Sequence, residues 1–213
     1  MRSNLRKPFS TSEREGLFGF DQSREAPGLR VDSSNRYGFE MITIRRLQID
    51  EVELFKQIRL ASLREASYAF SSTYESALLR GDESWRSQVE ESAQGADRAT
   101  FIAFFDNRPA GISSLYRIAD KKEKGELLQV WVAPEFRGKR IAWNLMDTVF
   151  MWAAENAFET IIAQVTRSNI RAIRFYRKYG FMISDEVPLD SSDTVILTWE
   201  IESKHSHKED SVA

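Results

Sequence analysis

The stretch Gln129-Val130-Trp131-Val132-Ala133-Pro134-Glu135-Phe136-Arg137-Gly138-Lys139-Arg140-Ile141-Ala142 decides the fold. Its apolar start completes a run from Glu126 to Val132 that reads as a strand, and Pro134 ends it because proline has no N–H for a ladder. From about Lys139 onward Ile141, Ala142, Leu145, Met146, Val149, Phe150 and Ala153 recur at helical spacing. A strand therefore feeds a basic, glycine-containing turn at a helix N-terminus. Free N–H groups, the helix dipole and the Arg and Lys side chains together favour an anion there, phosphate above all. Taken alone, the turn fits an ordinary strand-to-helix connection with solvated basic side chains equally well.

A second informative stretch follows roughly 40 residues later, Val165-Thr166-Arg167-Ser168-Asn169-Ile170-Arg171-Ala172-Ile173-Arg174-Phe175-Tyr176-Arg177-Lys178-Tyr179-Gly180-Phe181. It reads as a helix from Ser168 to Lys178 with Asn169 able to cap it, Ala172 and Tyr176 on one face, and Gly180 suited to the left-handed position after its end. Read alone, Asn169 is a cap and Tyr176 a packed aromatic.

Upstream, Ile42 to Leu47 alternates as a strand. Asp50 and Glu53 resemble a capping box opening a helix whose Leu54, Phe55, Ile58 and Ala61 share a face. The loop Phe70-Ser71-Ser72-Thr73-Tyr74 leads to a helix from about Asp82 to Glu91. Phe101–Phe105 and Ala110–Ile118 form a hairpin about the turn Asp106-Asn107-Arg108-Pro109, and Lys121-Lys122-Glu123-Lys124 reads as a solvated hairpin tip before the Glu126–Val132 strand. A strand Thr160–Val165 and two closing strands, near Phe181 and over Thr194–Ile201, complete the order β-α-α-β-β-β-α-β-α-β-β. That order implies an α/β chain with a mixed sheet covered by helices.

Composition narrows the chemistry. The 213 residues hold 42% hydrophobic and 29% charged residues, enough for one compact domain with tails. Residues 1–40 show neither helical nor strand periodicity and are expected to be a disordered extension, with Met41 an alternative start. Residues 41–202 are the expected domain, and 203–213 a polar tail. No apolar run approaches the roughly 20 residues that cross a bilayer, and the N-terminus lacks the apolar core of a secretory signal, so the expectation is a soluble, cytoplasmic protein with no membrane partner. There are no cysteines, which removes a thiol nucleophile and thiolate metal ligands. The histidines, His205 and His207, lie in the polar tail, so neither a zinc site nor a serine–histidine triad is expected, and acids and bases must come from Glu, Asp, Tyr, Lys or water. The formal net charge of −2 carries no basic excess of the kind that marks nucleic-acid binders.

Together, in this order and spacing, the two quoted stretches resemble the GCN5-related N-acetyltransferase (GNAT) superfamily, and the resemblance covers residues 41 to about 202, including the early Ala69-Phe70-Ser71-Ser72-Thr73-Tyr74 loop. It implies the GNAT fold, a central, mostly antiparallel mixed sheet flanked by helices, with acetyl-CoA as co-substrate and no metal. The family's phosphate loop falls on Arg137, Gly138, Lys139, Arg140, Ile141 and Ala142. The sequence departs at Arg140, where the family usually has glycine, so this side chain has to point outward to leave room for pyrophosphate. The resemblance further implies that the backbone of Val130 and Val132 pairs with the pantetheine arm as an added strand, that Asn169 binds near that arm, and that Ala172 is small because the cofactor passes close by.

Acetyl transfer from a thioester to an amine needs a neutral amine, an oxyanion donor and a proton for the departing thiolate. By resemblance, Tyr176 supplies that proton, its reference pKa of about 10 suiting the task. Glu126 matches the base position of the histone-modifying branch, with water or another carboxylate as the other candidates and a solvated strand-end charge as the plainer reading of Glu126, and the N–H of Val132 polarises the thioester carbonyl. The implied function is acetyl transfer to a primary amine of a small molecule or protein, by direct attack because no cysteine can carry the group. The alternative is a domain that holds a CoA thioester as a sensor or scaffold without turnover. The acceptor is not identified by the sequence, and the expected assembly is a monomer or homodimer. Acids on the expected acceptor rim, Glu75, Asp185, Glu186, Asp190 and Asp193, would attract a cationic amine, though solvated loop charge explains them as well.

Overall fold

The computed structural model describes residues 41–185 and 193–201. Strand β1 (Ile42–Arg46) leads into helix α1 (Val52–Glu65), a 3-10 turn (Ser67–Ala69) and helices α2 (Tyr74–Leu78) and α3 (Asp82–Ala93). Strands β2 (Arg98–Phe105), β3 (Arg108–Ile118) and β4 (Lys121–Val132) form consecutive hairpins, and a 3-10 turn (Pro134–Phe136) joins β4 to helix α4 (Ile141–Glu155). Strand β5 (Thr160–Thr166), helix α5 (Ile170–Tyr179) and strands β6 (Met182–Ile183) and β7 (Thr194–Glu200) complete the order. The seven strands make one sheet, β1-β2-β3-β4-β5-β7-β6, parallel between β4 and β5 and antiparallel elsewhere.

Both faces of the sheet are covered. On one face Leu145, Met146 and Val149 of α4, each 0% exposed, pack on Phe101, Ala103, Leu115 and Ile161, and α5 adds Tyr176. Each such side chain contributes about 1.5–3 kcal/mol through burial. On the other face Phe55 and Leu63 of α1 and Trp85 and Val89 of α3 pack on Ile102 and Ile112. Because Phe101 and Ala103 serve one core while Ile102 serves the other, β2 reads as an unbroken apolar run rather than an alternating one.

Several local expectations are corrected. The box expected at Asp50 and Glu53 does not form: Glu51 precedes α1 without capping it, because its carboxylate takes two bonds from Arg45, at 2.8 and 2.6 Å, and one from the Gln48 N–H at 2.9 Å. Ala61 faces outward, while Arg59, Ser62 and Leu63 lie inside. The loop after Phe70 passes into the additional short helix α2, opened by a reciprocal cap between Thr73 and Ser76. Strand β4 begins at Lys121, so the lysines expected at a hairpin tip belong to the strand. Residues 1–40 and 203–213, His205 and His207 included, lie outside the described residues.

The feature that positions the site is a fork between β4 and β5. Their parallel pairing runs from Lys124↔Thr160 to Glu126↔Ile162 and stops. Gly125 sits in this short paired segment against Phe158 and Leu115, whose side-chain carbons a Cβ would meet at 2.8 and 2.9 Å. On the other edge of β4, Ile112 pairs with Trp131 and Ser114 with Leu128, so two steps along β3 match three along β4. The surplus is a β-bulge at Gln129, whose φ is +59°. Bulges bend and twist a strand, and this one turns the end of β4 away from β5.

Candidate functional site

The fork opens a cleft of about 370 Å³. Val130, Trp131 and Val132 line it from β4, Ala172, Phe175 and Tyr176 from α5, and Tyr68 and Phe70 from the connection after α1. Beyond Glu126 the edge of β4 that faces β5 has no strand partner among the described residues, so an extended ligand can add to it by main-chain hydrogen bonds.

The turn before α4 forms one end of the cleft. Gly138 has φ +85°, which glycine adopts without steric cost, and a Cβ there would meet nothing within 4 Å. Arg140 stands in the N-cap position of α4 in the left-handed conformation, φ 63° and ψ 7°, with no side-chain cap bond. That conformation is one glycine adopts without steric cost and a side chain does not. The Arg140 side chain is exposed and belongs to the cleft lining. Among the described residues no acceptor meets the N–H groups of Gly138, Arg140, Ile141 and Ala142. Open space, unclaimed donors and a helix N-terminus fit a pyrophosphate group.

The basic side chains divide. Arg137 folds back: its Nε donates to the Val132 carbonyl at 3.0 Å and its Nη2 to Glu65 Oε2 at 2.6 Å. The same Oε2 accepts the indole N–H of Trp131 at 2.9 Å. The Arg137 bond, more than the Trp131 bond, holds the Glu65 carboxyl below its ordinary range against the opposing effect of burial. Lys139 turns its Nζ over the Phe105 ring, 4.4 Å from the centroid, and does not line the cleft. Arg140 and Arg171 line it and are exposed.

Tyr176 is 7% exposed, in ring contact with Phe175 and Phe181 at 5.5 and 5.3 Å, and its hydroxyl has no hydrogen-bond partner among the described residues. Burial pushes the phenol well above its ordinary value, so it is a firmly protonated donor, further from the pKa of a thiol than its reference value suggests. Asn169 caps α5, its Oδ1 accepting from the Ala172 N–H at 3.1 Å, and both residues line the cleft. Glu126 stands at the point of the fork, half-buried, accepting from Gln164 Nε2 at 3.0 Å, and does not line the cleft itself.

Of the expected rim acids, Glu75, Asp185 and Asp193 are exposed and outside the cleft lining, while Glu186 and Asp190 lie outside the described residues. Sequence reasoning missed Glu65, which ends α1 with nothing to distinguish it from a solvated helix charge. Its partner Arg137 is 72 residues away. Trp131 and Trp143, on either side of the turn before α4, also line the cleft.

The Acetyltransferase (GNAT) family matches residues 60–181. An "uncharacterized N-acetyltransferase" of Archaeoglobus fulgidus is 29% identical over 139 residues, 62% of this chain and 88% of that protein. The spermidine N(1)-acetyltransferase of Thermoplasma acidophilum is 27% identical over 160 residues, 73% of this chain and 95% of that one. Among solved structures, the PaiA N-acetyltransferase of Thermoplasma acidophilum in complex with coenzyme A superposes with a TM-score of 0.63 at 24% identity, covering 76% of this chain and 99% of that one. A Salmonella typhimurium protein described as a putative acetyltransferase, solved with acetyl-CoA, superposes with a TM-score of 0.64 at 14% identity, covering 76% and 95%. Both share the fold described above.

Proposed function

The chain belongs to the GNAT family of acetyltransferases, and we propose that it moves an acetyl group from acetyl-CoA directly to a primary amine of a small molecule or protein. The observation that carries the reading is the coincidence, in one cleft, of a strand edge and a set of N–H groups at the start of α4 that have no partners among the described residues, together with the hydroxyl of Tyr176. Acetyl-CoA supplies the activated acetyl group and the thiolate that departs. The backbone of Val130 and Val132 binds the extended arm, and the Val132 N–H donates to the thioester carbonyl oxygen as negative charge gathers there. The N–H groups of Gly138 through Ala142 take the pyrophosphate, helped by the exposed guanidinium of Arg140, whereas Arg137 and Lys139 contribute through the backbone. Asn169 fixes the start of α5, and Ala172 leaves room along it.

Tyr176 Oη donates to the departing sulfur. Its raised pKa makes it a hydrogen-bond donor first, giving up its proton only as the sulfur acquires full charge. Glu126, at the point of the fork, takes the proton from the amine through water, since it does not reach into the cleft itself. The amine acceptor is consistent with the relative named for spermidine. The reading is of a cytoplasmic monomer or homodimer that needs no metal, nucleic acid or membrane. Among the described residues no helix is long and apolar enough to cross a membrane.

The test is release of CoA from acetyl-CoA with a panel of amines, followed with a thiol reagent, and product mass by spectrometry. Turnover with at least one amine supports the reading. Stabilisation by acetyl-CoA without turnover on any amine would leave only a thioester-binding domain.

A further inference from the structure

Among the described residues Arg59 is a charge without a counter-charge. It projects from α1 among Phe55, Ser62 and Leu63 and is 7% exposed. Its guanidinium lies 4.6 Å from the centre of the Phe70 ring, and its one hydrogen bond is a long contact, 3.3 Å, from Nη1 to Ser62 Oγ. Among the described residues no carboxylate meets it. The groups that act on it electrostatically are the Tyr116 phenol and a second guanidinium, Arg80. Burial depresses it to about 10, a direction that a carboxylate partner would oppose.

The neighbourhood is made of donors. Arg80 stacks on Trp85, 3.9 Å from the ring, and is tied to the Ser84 hydroxyl and carbonyl, again with no carboxylate among the described residues. The Trp85 ring is fully buried and its Nε1–H has no acceptor among the described residues. Two guanidinium groups and an orphaned indole N–H thus share one region of the α1–α3 side. Buried charges are ordinarily paired, and replacing an unneeded one by an apolar side chain is neutral or stabilising, so a fork of unused donors points to a missing acceptor. Arg59 and Arg80 do not line the cleft themselves, but the Phe70 ring against Arg59 is the same one that lines it with Trp131 and Tyr176.

We propose that Arg59, with Arg80 beside it, is the receptor for a carboxylate of the acceptor, reached past Phe70, so that the acceptors are amines that also carry a carboxylate, such as amino acids or peptides, and not a bare polyamine of the kind in one relative's name. The inference rests on the acetyltransferase reading for its kinetic consequence but not for the site itself. The planar fork of Arg59 suits a carboxylate through paired N–H bonds. Phe70 lies between Arg59 and the cleft, so its ring has to turn aside for the carboxylate to reach the guanidinium.

Two measurements test it, in wild type, Arg59→Met, which keeps an unbranched apolar stem, and Arg80→Met. In the first, kcat/KM is compared for α-amino acids and their decarboxylated amines. The wild type is expected to favour the acid-bearing member by about tenfold or more, and Arg59→Met to lose that preference while melting no lower than wild type. In the second, sodium propionate is titrated against sodium chloride at constant ionic strength, and wild type but not Arg59→Met is expected to gain melting temperature from propionate. Propionate stabilisation without any preference among acceptors assigns the site to a free carboxylate. Absence of both effects in wild type, or their persistence in Arg59→Met, overturns the proposal. If Arg59→Met fails to fold, Arg80→Met must weaken both effects. If no amine is acetylated, the propionate titration still decides the carboxylate site.

Discussion

Glu65 and Arg137 meet at 2.6 Å across a sequence separation of 72 residues, and the contact joins the last turn of α1 to the turn that opens α4. Both side chains are about one-third exposed, 33% and 28%, so the pair lies between a screened surface bridge and a buried one. Its geometric effect exceeds its energetic one. Because the Arg137 guanidinium also holds the Val132 carbonyl at 3.0 Å, Glu65 fixes the end of β4 through it. The pair also neutralises a cation at the mouth of the cleft, so that the groups there still open to an anion are backbone donors and Arg140.

Freeing Arg137 is therefore expected to tighten cofactor binding. Glu65→Gln keeps an oxygen for Arg137 and Trp131 and removes the negative charge. Acetyl-CoA affinity by calorimetry should rise a few-fold at low salt and return toward wild type as salt screens the released cation. Unchanged or weaker binding at low salt would mean that Glu65 does not compete with phosphate for Arg137.

The same variant gives a pH test. Arg137 and Trp131 lower the Glu65 pKa, so the pair adds stability above the ordinary glutamate range, and that stability is lost as pH falls through the lowered value. The melting difference between wild type and Glu65→Gln should be flat between about pH 6 and 8 and should close below about pH 4. A difference that persisted in acid would assign the effect to shape rather than charge.

Arg140→Gly removes a non-glycine residue from a left-handed position, φ 63°. It should stabilise the unliganded chain by about 1 kcal/mol, read by denaturant midpoint. Gly138→Asp has the opposite purpose: it puts a carboxylate where phosphate would sit, and it should abolish the melting shift given by acetyl-CoA and by desulfo-CoA.

Tyr176→Phe keeps the ring packing against Phe175 and Phe181 and deletes the hydroxyl. Affinity for acetyl-CoA should change little while kcat falls about tenfold or more. Equal kcat would reduce Tyr176 to a packed aromatic.

Glu126→Gln should move the pH profile of kcat/KM toward higher pH, because the amine would then have to lose its proton without help from the carboxylate at the fork. A profile identical to wild type would assign that step to water alone.

How far the sequence reached depends on the range of the interaction. The strand Glu126–Val132, the turn at Pro134 and the helix after Arg140 are local patterns, and so were legible. Ala61 was misassigned because helical periodicity cannot say which of two adjacent stripes meets the sheet, and the Asp50 cap lost to an Arg45–Glu51 pair outside the helix. Glu65 and Arg59 were illegible for a common reason: each is defined by partners, or by a lack of them, that only the tertiary fold brings into view.

The bulge at Gln129 makes the cleft a property of chain length as much as of side-chain identity. Two residues of β3 are spanned by three of β4, and it is this surplus that opens the fork. Substitutions along 127–131 can leave the count intact, whereas deleting a single codon there removes the surplus, restores regular pairing with β3 and takes away the bend that opens the fork. In descendants of this gene, then, missense change in the segment can be gradual, while in-frame deletion is all or none.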